Sequence, residues 1–303
     1  MKFSVSAAFF SMVALASASV LPRQSCPDAS RFGVLSYSSP TGATSYKAGD
    51  PIHVHVDFSC AINYYGIKPQ FFDYLIEVPA NANNGYEAPI VLGARRTLAD
   101  GATTDDFDTT IPHGYYFANA AYNIFLVDTY PTQGTDGSEI LLQGSVEFTL
   151  SAALLSMAAL ASASVLPRQS CPDASRFGVL SVSSPNNATS YNAGDPIHVE
   201  VDFNCAINTY GIKPVFFDYL IEVPFNQNNG HEAPIVLGAR RTLPDGATKD
   251  VFDTTIPHGF YFPNAPYNVF LVDTYPTQGT DGSEILLQGS VEVPITINPT
   301  PSS

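Results

Sequence analysis

Two histidines and an aspartate alternate along His53-Val54-His55-Val56-Asp57. In an extended chain, residues two apart point to one side. His53, His55 and Asp57 would then be three potential ligands for zinc or copper on one face, with His113 from a later loop completing the set. The same positions 145 residues further on hold His198, Glu200, Asp202 and His258. The spacing matches no established metal signature. An alternating strand with one solvated face produces the same pattern. The candidate ligands are therefore His53, His55, His198 and Glu200, weighed against ordinary polar surface.

Aromatic residues offer a second chemistry. They gather in Pro112-His113-Gly114-Tyr115-Tyr116-Phe117 and at Tyr64-Tyr65, and the later copy keeps Phe260-Tyr261-Phe262. Exposed rings at Tyr115, Tyr116 and Tyr261 could stack on the faces of sugars. Packing of these rings in a core is the competing expectation, and Tyr122 has the character of a tyrosine-corner residue. Tyr64 is replaced by Thr209, so no platform shared by both copies uses it.

Carboxylates near turns, at Asp105, Asp106, Asp108, Asp136 and Glu139, could in pairs serve glycoside hydrolysis or bind Ca²⁺. Val251 stands in place of Asp106 in the second copy, and Asp136-Gly137-Ser138-Glu139 reads more simply as a turn. The chain has no G-x-S-x-G elbow, P-loop, dinucleotide fingerprint or H-E-x-x-H. No catalytic residue and no cofactor is implied.

These residues must be positioned by short strands. Residues 31–37, 52–58, 71–78, 89–98, 107–111, 122–128 and 139–150 read as seven strands, by period-two alternation and by bounding Gly, Pro, Asn and Asp. No stretch has the period of an amphipathic helix. The expected fold is all-β: an antiparallel β-sandwich, immunoglobulin-like or fibronectin-III-like.

The whole pattern is written twice. Shifting the chain by 145 residues superimposes it on itself, with about 85% agreement between residues 26–147 and 171–292. So long a period is a duplicated domain, expected at 24–147 and 169–298 with a tail at 299–303. Four cysteines allow three pairings. Near-identical copies favour pairing within each, Cys26–Cys60 and Cys171–Cys205. Each closure would stabilise its copy by ~3–4 kcal/mol in the chain-entropy model.

The start of the chain has the form of a secretory signal at residues 1–18. Lys2 is followed by an apolar run and by the small-x-small site Ala16-Ser17-Ala18. The same kind of segment recurs at 148–168, with its own Ala161-Ser162-Ala163. A relic of tandem gene fusion, or two neighbouring genes read as one, accounts for it best; an internal anchor or cleavage site is the alternative. Its run of Ala and Ser makes a marginal membrane span, so no stable anchor is expected. Asn187-Ala188-Thr189 is an N-glycosylation sequon.

Charge narrows the partners. Asp and Glu number 28 against 13 Lys and Arg, for a net charge of −15. Such a field repels nucleic acid and anionic membranes.

Ser39-Pro40, Gly42, Tyr46-x-Ala48-Gly49-Asp50, Ala99-Asp100-Gly101, Thr109-Thr110-Ile111-Pro112 and Tyr122-x-Ile124-x-Leu126 follow in order around an alternating strand. This series resembles the N-terminal immunoglobulin-like domain of fungal cell-wall proteins, the family linked to β-1,6-glucan assembly and to Ser/Thr-rich, lipid-anchored wall proteins. The chain departs from them in lacking Trp and in ending without a long Ser/Thr stalk. The resemblance implies a small secreted protein at or near the fungal wall. The function expected is a non-enzymatic extracellular or wall module with a structural or interaction role. Its partners would be wall polysaccharide or wall proteins. A carbohydrate-binding module using the Tyr-rich loops is the first alternative. A metal-binding protein or glycan-active enzyme is the second.

Overall fold

Alternation decides the architecture. In Pro51–Asp57 the residues Ile52, Val54 and Val56 are fully buried, while His53, His55 and Asp57 face outward. A computed structural model describes residues 26–43, 45–79, 82–83, 87–117, 120–150, 171–224, 226–228 and 232–300. The signal-like segments 1–18 and 151–168, and the cleavage sites within them, lie outside the described residues.

Each copy has the seven expected strands. The first holds β1 (Val34–Ser38), β2 (Pro51–Asp57), β3 (Phe71–Glu77), β4 (Ile90–Arg96), β5 (Thr104–Thr110), β6 (Asn123–Gln133) and β7 (Glu139–Thr149). The second repeats them as β8 (Val179–Ser183), β9 (Pro196–Asp202), β10 (Phe216–Glu222), β11 (Ile235–Arg241), β12 (Lys249–Thr255), β13 (Asn268–Gln278) and β14 (Glu284–Pro294). All named pairings are antiparallel. In each copy a three-stranded sheet, β1-β2-β5 or β8-β9-β12, lies against a four-stranded one, β4-β3-β6-β7 or β11-β10-β13-β14. Ile52, Val54, Val56, Phe58, Phe72 and Tyr74 fill the space between the first pair, and their counterparts fill the second.

Three local features depart from expectation. β6 runs five residues beyond its expected end, through Pro131. Past Thr129 the strand pairs only with β7, so the missing N–H of Pro131 faces a free edge. β7 runs to Thr149, and the Leu150 amide, with its side chain buried, donates to the Tyr122 carbonyl at 3.1 Å. The first copy therefore extends past 147, into what reads as the apolar segment. In the second copy the start of the tail is docked: the Thr300 amide donates to the Tyr261 carbonyl at 2.9 Å.

Both disulfides form as expected, Cys26–Cys60 and Cys171–Cys205. Short helices place the second cysteine of each, α1 (Ser59–Asn63) and α2 (Asn204–Asn208), which the alternation did not announce.

The copies are not independent sandwiches. β7 meets β11 and β4 meets β14, so the two four-stranded sheets close into one eight-stranded barrel. Each seam is a single bridge, Leu142 to Ile235 and Ile90 to Leu287, which joins the sheet edges at those points. Leu142 and Leu287 pack against the cores of both copies.

Candidate functional site

The aromatic loops follow β5 and β12 and run extended, so their side chains alternate in and out. Tyr115 is 53% exposed and Phe117 44%, while Tyr116 between them is buried. The Tyr116 hydroxyl donates to the Pro112 carbonyl at 3.0 Å, and its ring meets Tyr122 edge-on. The Tyr122 hydroxyl in turn accepts the Phe117 amide at 3.0 Å and fixes the loop. Burial raises the pKa of both phenols, Tyr116 the more strongly.

The second copy repeats this. Phe260 is 52% exposed, and its ring centroid lies 4.9 Å from that of Phe262. Tyr261 is fully buried, donating to the Pro257 carbonyl at 2.9 Å. Tyr116 and Tyr261 are therefore core residues and cannot stack on a sugar. The outward rings are Tyr115 and Phe117 in one copy and Phe260 in the other, with Phe262 half-buried against Phe260. Grouping Tyr115 with Tyr116 as rings for sugar overlooked the alternation that separates them.

Phe260 and Phe262 border a cleft of about 410 Å³ between the copies. Its walls include Glu232 from the second copy and Gln133 and Thr135 from the first. The buried Oε2 of Glu232 has no hydrogen-bond partner among the described residues. Ring faces beside a carboxylate, an amide and a hydroxyl suit a ligand rich in hydroxyls, which offers apolar faces and donors together.

The histidines are arranged differently from the expected ligand set. Asp57 lies on the same face as His53 and His55, but its Oδ1 is taken by the Ser59 amide at 2.7 Å at the start of α1. His55 Nδ1 lies 2.6 Å from Asp106 and His53 Nδ1 3.0 Å from Asp108, both across the β2–β5 pairing. The His55 hydrogen bond is the main cause holding the Asp106 carboxyl below its ordinary pKa. His113 stands instead beside Asp281 of the other copy, at 3.4 Å. In the second copy His198 pairs with Asp253, while Glu200 is neutralised by Lys249 at 2.8 Å. Val251 and Lys249 thus replace Asp106 and Thr104 where Glu200 replaces His55. These are cross-strand charge pairs. Among the described residues no group of three or more His, Cys, Asp or Glu is set to hold a metal ion.

The remaining carboxylates are structural. Asp105 is buried and takes both the Nε and a terminal nitrogen of Arg96, at 2.6 and 2.7 Å, with the Tyr74 hydroxyl at 3.2 Å. Asp136 closes its own turn, accepting the Ser138 amide and hydroxyl. Asn187 is exposed in a left-handed backbone conformation, φ 55°, where the first copy has Gly42 at φ 72°.

No protein-family model matches the chain, and no curated protein matches it. Among solved structures it is similar to one described as "pT26-6p", with 9% identity and a TM-score of 0.22. The match covers 88% of this chain and 63% of that one. A similarity at that level carries no argument about function. No helix among the described residues is long and apolar enough to cross a membrane. The two disulfides are compatible with export.

Proposed function

We propose that the protein is a secreted, non-enzymatic interaction module of the fungal wall or extracellular space. The observation that carries this reading is the set of exposed aromatic rings, Tyr115 and Phe117 in one copy and Phe260 in the other with Phe262 half-buried beside it, on a disulfide-closed β scaffold. Exposed rings held on a rigid framework are the usual anchors of a binding surface. The net charge of −15 further favours a neutral partner over an anionic one.

Wall polysaccharide is the partner favoured by the cleft, because Glu232, Gln133 and Thr135 stand beside the rings. The test is co-sedimentation with isolated fungal walls, untreated or stripped of protein. Binding to stripped walls supports the polysaccharide reading. Binding only to untreated walls supports a protein partner in its place. Failure to bind either contradicts the proposal.

A further inference from the structure

We infer that the surface joining the two copies is a self-complementary homodimer surface, and that copies cut apart from one another remain paired through it. This inference does not depend on the binding role proposed above.

Its basis is reciprocity. The Thr135 amide and hydroxyl of the first copy donate to the His258 carbonyl of the second, at 2.6 and 3.1 Å. The Thr280 amide and hydroxyl donate to the His113 carbonyl at the same two distances. Gln143 donates to the Pro234 carbonyl and Gln288 to that of Pro89, each at 2.9 Å. His258 faces Asp136 and His113 faces Asp281, each at 3.4 Å. Arg240 lies over Phe71 at 3.9 Å and Arg95 over Phe216 at 4.0 Å. Every one of these pairs maps onto its mate by the 145-residue shift, with the two copies exchanged; the Arg95–Asp218 ion pair alone, among the described cross-copy contacts, has no matching bond from Arg240 to Asp73. Residue i meeting j while j meets i is the signature of an isologous, two-fold interface. Two unrelated faces pressed together by a tether have no reason to produce it.

The glycines of the seam add an independent sign. Gly134 has an ordinary backbone that any residue could adopt. A Cβ there would sit 2.8 Å from the His258 carbonyl of the other copy, and one on Gly279 would sit 2.8 Å from that of His113. The closest obstacle to a side chain is the partner copy's backbone, ahead of Asp136 and Ser283 of the glycines' own copies. The copies differ at Tyr37, His55, Tyr64 and elsewhere, yet these glycines and all the paired residues above are identical in both.

The experiment places a specific protease site between Ser151 and Ser170 of the full chain. The cut protein is examined by native mass spectrometry and size exclusion at low micromolar concentration. The expected result is one particle with the mass of the uncut chain, resolved into two fragments only by denaturant. Folded half-mass species with intact disulfides would overturn the inference. Gly134→Val with Gly279→Val should weaken association of the cut halves about tenfold or more, because both carbonyl clamps are blocked. Circular dichroism of the uncut variant is the folding control. Arg95→Ala with Arg240→Ala, which removes the stacked guanidinium groups, serves as a second variant with the same expectation. If folded variants pair as tightly as the parent, the seam is not the assembling surface and the inference fails.

Discussion

Arg95 reaches out of its own copy to set both terminal nitrogens of its guanidinium on Asp218, at 3.2 and 2.8 Å, while its neighbour Arg96 turns inward to Asp105. The backbone makes this divergence possible. Arg95 holds a left-handed φ of 54° and Arg240 one of 55°, each within a register shift in the pairing of its strand. A non-glycine residue in that region is strained. Here the Asp73 carboxylate accepts the Arg95 amide, and Asp218 accepts that of Arg240, which holds the bulge in place.

Arg96 should be the costlier arginine within a copy. It is bidentate on the buried Asp105 and stacks 4.3 Å over Phe107. Arg96→Ala leaves that carboxylate without its charge partner and is expected to cost about 3 kcal/mol. Arg96→Lys should recover little of this, since an ammonium cannot reproduce the fork. Urea unfolding of the two variants measures the difference. Equal stability of Arg96→Lys and the parent would contradict the expectation.

Stability should fall as pH rises from about 4 to 7. Asp128 and Asp273 are wholly buried, their carboxylate oxygens have no side-chain partner among the described residues, and burial pushes each pKa up to about 7 from 3.8. Burial, with Glu147 and Glu292 nearby, likewise raises Glu77 and Glu222 to about 7 from 4.5. The folded state therefore binds more protons than the unfolded chain within that window. Its advantage is complete below the unfolded values and is gone above about pH 7. Asp106, Asp136 and Asp281 shift the opposite way, but they are exposed and screened. Thermal melts should be higher at pH 5 than at pH 7.5. Asp128→Asn with Asp273→Asn should raise the melting temperature at pH 7.5 and narrow the gap. A parent melting higher at pH 7.5, with no response to the double substitution, would refute this.

Asn187 should carry a glycan when the chain is exported by a eukaryotic host. Its turn is exposed, and its left-handed backbone is one that glycine also fits, as Gly42 shows at the matching site. Asn187→Gly should remove the glycan without unfolding the copy. Intact mass before and after glycosidase reads the result, and an unchanged mass in the parent would count against occupancy.

What was legible in the sequence is what local period encodes. Ile52, Val54 and Val56 announced an inward face, and near-identical copies implied the pairings Cys26–Cys60 and Cys171–Cys205. Alternation also held the answer for Tyr115 and Tyr116, but three adjacent aromatics concealed which ring was inside. The seam was not legible. Leu142 and Leu287 sit on strands whose other residues alternate normally, and nothing in a local pattern says that an edge will meet another copy. The role of Asp57 was hidden too, because a carboxylate that holds the amide two residues on looks like a ligand until α1 is known to follow.

The proposed binding role is tested most directly by affinity electrophoresis through gels containing soluble fungal wall glucan, comparing the parent with Tyr115→Ala plus Phe260→Ala. Both side chains are about half exposed, so the fold should be kept, with unchanged circular dichroism as the control. The parent should be retarded, and the double variant should lose about tenfold or more in affinity, since ring stacking and its buried area vanish together. Equal retardation of the folded variant and the parent, or no retardation of the parent, would contradict it.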